Sequence, residues 1–85
     1  MGTYLISYDL LDSDKETDLL AYLKNATMAT KSAYLLNTNM TPGQLVDGIR
    51  KLTNNKVNVY VLTIANPYSG WGPPAANDWL TKNLP

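Results

Sequence analysis

The chain has 85 residues, with seven Lys and Arg balancing seven Asp and Glu, and neither His nor Cys. One domain of this size hides only about 60% of its unfolded surface, so association with further copies is an expected source of stability. The neutral balance lacks the basic excess of a general phosphate-backbone binder. The missing Cys and His exclude disulfides, thiolate metal sites, a cysteine nucleophile and the commonest general base.

No charged leader with an apolar core opens the chain, and no apolar run approaches about 18 residues, which predicts a cytoplasmic protein with no membrane span. Thr3 to Tyr8 reads as a strand from its β-branched and aromatic content, closing on Asp9. Ser13 with Glu16 three residues on forms a capping-box pattern, and the helix after it carries Leu19, Leu20 and Leu23 on one stripe. Thr27–Thr30 and Ala33–Asn37 read as a tight or bulged hairpin around Lys31 and Ser32. Thr41-Pro42-Gly43-Gln44 signals a second helix, with Leu45, Ile49 and Leu52 inward and Asn54-Asn55 as its stop. Val57–Ala65 is the last strand. The Pro- and Gly-punctuated segment from Asn66 to Pro74 excludes a regular element, and Asn77 is placed to cap a short helix over 78–84.

The order βαββαβ predicts an α+β fold of the split βαβ, ferredoxin-like type: an antiparallel sheet with two helices on one face. Residues 1–65 make that domain, and residues 66–85 form the loop and helix that pack on its own sheet or a partner's. Assigning small and aliphatic residues to the helix side places Tyr4, Tyr8, Tyr34 and Tyr60 together on the uncovered face. So apolar a face needs cover. Three occupants are open: the tail through Trp71 or Trp79, a second subunit in a homodimer, or stacked bases.

The segments Tyr4-Leu5-Ile6-Ser7-Tyr8-Asp9-Leu10, Tyr34 to Thr41 and Asp78-Trp79-Leu80-Thr81-Lys82-Asn83-Leu84 resemble small bacterial and phage proteins labelled SinR-family. These are similar in plan to the CRISPR adaptation endonuclease subunit and to virulence-associated protein D. The resemblance implies a ferredoxin-like homodimer, with Asp9 at the position of a proposed metal-binding residue and one Mg²⁺ shared across the dimer axis. The chain departs from those relatives in the acidic Leu11-Asp12-Ser13-Asp14 that follows Asp9, and in Asn25–Ala29, where many of them carry paired Trp and a His.

Read by themselves, Asp12, Asp14, Glu16 and Asp18 complement a helix N-terminus, and Asp9 is either a turn cap or a metal ligand. No Ser or Thr has an evident base beside it, so no catalytic residue is assigned. The 67–74 loop is the candidate ligand site: Tyr68 and Trp71 offer flat faces for stacking, and Gly70 and Gly72 allow close backbone approach. Tyr4, Tyr8, Tyr34, Tyr60 and Trp79 are the candidate subunit interface. The expected function is a non-catalytic homo-oligomeric binding module of phage or mobile-element type, sequestering a nucleotide-like ligand or blocking a host defence protein. The alternative is a Mg²⁺-dependent endonuclease acting on nucleic acid through Asp9.

Overall fold

In the computed structural model, which describes residues 2–84, the run Gly2–Leu10 forms the longest strand, β1. Asp12 then stops the extended chain: its carboxylate accepts the Asp14 N–H at 3.1 Å and caps a 3-10 turn over Ser13–Lys15. The cap is therefore Asp12 rather than Ser13, and the helix proper, α1 (Glu16–Tyr22), starts a turn later. The hairpin is β2 (Thr27–Thr30) and β3 (Ala33–Thr38), with an irregular register between Met28 and Thr30.

The helix α2 (Pro42–Leu52) has the full reciprocal capping box. The Gln44 N–H reaches Thr41 Oγ1 at 3.1 Å, and the Thr41 N–H reaches Gln44 Oε1 at 2.9 Å. Its other end is closed by Asn54 and Asn55 at φ 54° and 64°, whose N–H groups turn back to the carbonyls of Lys51 and Arg50. Asn tolerates that left-handed backbone because its short polar side chain costs little there. The buried Thr53 hydroxyl adds a 2.7 Å bond to the Ile49 carbonyl. Strand β4 (Val57–Thr63) follows, and helix α3 (Pro74–Asn83) ends the described chain.

The four strands lie in the order β2-β3-β1-β4, with every neighbouring pair antiparallel. Strands β1 and β2 thus run parallel on either side of β3. The register sets Tyr4, Ile6, Tyr8 and Leu10 beside Leu36 and Tyr34 on one flank and beside Val61, Val59 and Val57 on the other. This face takes α1 and α2, and its core is Tyr4, Ile6, Leu19, Leu23, Leu45 and Ile49.

The core corrects the expected placement of three tyrosines. Tyr4 is buried, and Tyr8 and Tyr34 pack against the same cluster, so none of the three lies on the face away from α1 and α2. Only Tyr60 is found there, paired with Ser7. The physical reason is the choice made by β1. Ile6 shares a side with Tyr4 and Tyr8, and burying Ile6 carries all three inward, while the smaller Ser7 and the partly covered Leu5 go outward. The Tyr8 and Tyr34 rings stack at 6.0 Å between centroids, an arrangement that adds about 1 kcal/mol to their burial.

Two outcomes follow. Replacing Ile6, fully buried, by Ala is expected to cost about 3 kcal/mol in urea unfolding, with the native circular dichroism kept. Burial, and then the neighbouring Tyr34, raise the Tyr8 hydroxyl above its ordinary pKa. The fold therefore favours the neutral phenol. That contribution is complete below the unfolded value of about 10 and is lost as pH climbs through the higher folded value. Unfolding free energy should fall above about pH 10, and the fall should be shallower in Tyr8→Phe.

Candidate functional site

The face away from α1 and α2 has its own small core. Leu35, Ala76 and Leu84 are buried outside the main cluster, because α3 crosses back over β2 and β3 of its own chain. Proline at the first helical turn sets the start of α3, with the Ala76 and Asn77 N–H groups reaching the Pro73 carbonyl at 3.0 and 3.1 Å. The helix thus begins four residues before the expected start at Asp78. Asn77 lies inside it and ties down the loop instead, donating from Nδ2 to the Gly72 carbonyl at 3.1 Å. At the far end Asn37 Nδ2 donates to Asn83 Oδ1 at 3.1 Å, and Asn83 Nδ2 to the Trp79 carbonyl at 2.9 Å. Asn37 Oδ1 is buried beside this contact and has no hydrogen-bond partner among the described residues.

Between α3, the loop and the sheet lies an open cleft of about 250 Å³. Its floor is Leu5 and Ala33, its walls Ala29, Thr30, Ala76 and Leu80, and its rim Gly70, Trp71 and Gly72. The lining holds no Lys, Arg, Asp or Glu. Trp71 stands 98% exposed at this rim, so its indole touches almost nothing of its own chain. The apolar surface continues sideways: Leu5 pairs with Leu62 and Ser7 with Tyr60, and these two β4 side chains are 49% and 73% exposed.

Of the four loop residues expected to bind, the fold brings Gly70, Trp71 and Gly72 to one cleft and leaves Tyr68 outside its lining, half exposed. The two rim glycines are not required by the chain's own packing. Neither has a positive φ, a Cβ on Gly70 would meet nothing within 4 Å, and one on Gly72 would make an ordinary 3.5 Å contact with the Ala29 carbonyl. Trp79 is partly buried on α3. The floor residues Leu5 and Ala33 and the wall residue Leu80 were not singled out in the sequence. The alternation of Leu5, Leu35 and Leu62 opposite the buried set carried the signal.

Asp9 is exposed at the end of β1, opposite Asn58. It lies on the same face as Ser7 and Tyr60, one rung beyond them. Among the described residues no three His, Cys, Asp or Glu side chains gather closely enough to hold a metal ion. Asp12 is engaged in its cap, and Asp14, Glu16 and Asp18 are exposed along the turn and helix that follow. No described helix is long and apolar enough to cross a membrane.

Gly70→Ala is expected to fold with unchanged stability, within about 0.5 kcal/mol in a thermal melt. A loss beyond that would show a backbone demand at the rim. No family model, no curated protein and no solved structure matches this chain.

Proposed function

We propose that this chain is a binding module of the split βαβ, ferredoxin-like plan, which captures the flat ring of a nucleotide-like ligand between Trp71 and the cleft beneath α3. The observation that carries the reading is Trp71 itself, 98% exposed beside an apolar hollow. Leaving an indole in water forgoes the burial of about 150–250 Å² of ring surface. A ring laid on it recovers that area on one side and fills the hollow on the other. The plan is supported by β1 and β2 running parallel around β3, with α1 and α2 on one face.

Size and charge narrow the ligand. At about 250 Å³ the cleft lies below the usual range of about 300–1,000 Å³ for drug-sized molecules. It takes one ring system, not a whole nucleotide. With no charged lining, the ring is what is gripped, and any phosphate stays in solvent. Lys31, exposed at the hairpin tip directly after the wall residue Thr30, is the cation nearest to the lining in sequence. Stacking of this kind is worth about 1–3 kcal/mol per base, which predicts weak, ring-selective binding.

In a Trp79→Phe background, where Trp71 is the sole indole, titration with linear and cyclic purine and pyrimidine nucleotides should quench the fluorescence saturably. Trp71→Ala should abolish binding by calorimetry while leaving the melting temperature within a few degrees of the parent, because its side chain holds nothing together. Flat titrations with every nucleotide would remove the proposal.

A further inference from the structure

The two edges of the sheet are built differently. The outer edge on one side, β2, has four residues, carries a register irregularity, and lies under α3. Shortness, a bulge and a covering element are the devices by which proteins prevent strands from pairing with strangers. The other edge, β4, has none of them: seven residues, Val-Asn-Val-Tyr-Val-Leu-Thr, with no charge, no proline and regular pairing to β1 throughout.

The hydrogen bonds of β4 show which groups are left over. The Lys56 carbonyl accepts from Leu11 at 3.0 Å and the Ile64 N–H donates to Thr3 at 3.0 Å, so even-numbered residues turn their backbone groups toward β1. Alternation then points the N–H and C=O of Val57, Val59, Val61 and Thr63 out of the sheet. Beside this row, between β4 and α2, runs a groove of about 570 Å³ lined by Val46, Arg50, Val57, Asn58, Val59 and Tyr60.

We infer that this edge is a self-association site, occupied by β4 of a second copy running antiparallel about a two-fold axis at Tyr60. That register uses the whole strand. Val57 faces the partner's Thr63 and Val59 the partner's Val61, giving four hydrogen-bonded pairs and about eight new backbone bonds. The partner's valines, on the helix side, enter the groove beside Val46 and Arg50. On the opposite face the two Tyr60 rings, each 73% exposed alone, become direct cross-strand neighbours.

Charge and area both favour a copy as the occupant. The strand is uncharged, so no like charges meet along it, and the two Arg50 side chains stay near opposite ends of the ribbon. The chain exposes 5608 Å², whereas a monomer of its mass typically exposes about 5,000 Å². The excess of about 600 Å² is spread over the surface, with Tyr60 and Leu62 of β4 contributing to it, and a stable interface hides about 800 Å² per partner. The site is separate from the Trp71 cleft, so each is tested without the other.

Three measurements decide it. Sedimentation of the full chain at about 100 μM should give the mass of two chains, and hydrogen exchange should show the amides of Val57, Val59 and Val61 protected there and released on dilution. Val59→Pro removes an outward N–H, a change edge strands tolerate, and also trims a valine packed against the main core, so the variant folds with lower stability. It should keep the native circular dichroism and the Trp71 signal, and sediment as one chain. Because the sequence has no Cys, Tyr60→Cys carries a single thiol per chain and should form a disulfide-linked dimer under mild oxidation, while Asp18→Cys should not. A folded wild type that sediments as one chain with those three amides exchanging freely would overturn the inference. So would a folded Val59→Pro dimer, or Tyr60 thiols that fail to link.

Discussion

Four strands span about 19 Å, and one helix with its side chains covers about 10 Å. The sheet is therefore fully shielded only where two helices lie side by side. On one face α1 and α2 do this and enclose the main core. On the other α3 is alone. It covers the β2–β3 half, buries Leu35, and leaves Tyr60 and Leu62 of β4 in solvent. The cleft is the step between the covered and uncovered halves, and Trp71 stands at that step because the loop must descend from β4 to the start of α3. The exposed surface on this side thus follows from α3 covering only half of the sheet.

The same partial cover explains why the two sheet edges differ. After β4 the chain has to cross the sheet to place α3, and it lands over β2. That arrival protects β2 and leaves nothing for β4. Helix α2 lies against the inner side of β4 but does not reach past it, so a groove remains where a further strand would sit. A row of unpaired backbone groups beside an apolar groove is a more specific feature than apolar surface alone, since direction and spacing are both set.

Much of this was legible in the sequence, and the failures have definite causes. Capping chemistry is local, so Thr41 and Gln44 fixed the start of α2 and Asn54-Asn55 its end. At the first helix two acceptors one residue apart, Asp12 and Ser13, competed, and the longer reach of the carboxylate favoured Asp12. The strand faces were harder. Both sides of β1 are partly apolar, Tyr4-Ile6-Tyr8 against Leu5-Ser7, and alternation gives the two sets but not which one meets the helices. For β4 the triple valine made the choice visible, and it came out inward as expected. For β1 and β3 the preference for small residues under helices misled, because tyrosine rings pack into the core between sheet and helices alongside the leucines. The loop was recognised as irregular and aromatic, but the floor of the cleft was not legible. Leu5, Ala33 and Leu80 come together only once α3 crosses strands distant in sequence.

Pairing at β4 also bears on what the cleft can achieve. The proposed two-fold axis at Tyr60 would stand perpendicular to the sheet and keep its faces apart, so α1 and α2 of both copies would share one side and both Trp71 clefts would open on the other. A single stacked ring supplies only a few kcal/mol. Two clefts on one rigid platform turn the second contact into an intramolecular event, which multiplies weak affinities without any new chemistry at either site. A ligand with two rings at a matching separation would gain from this, and a single nucleotide would not. In the proposed dimer the edge would set the distance between the clefts, and that distance would select what binds tightly.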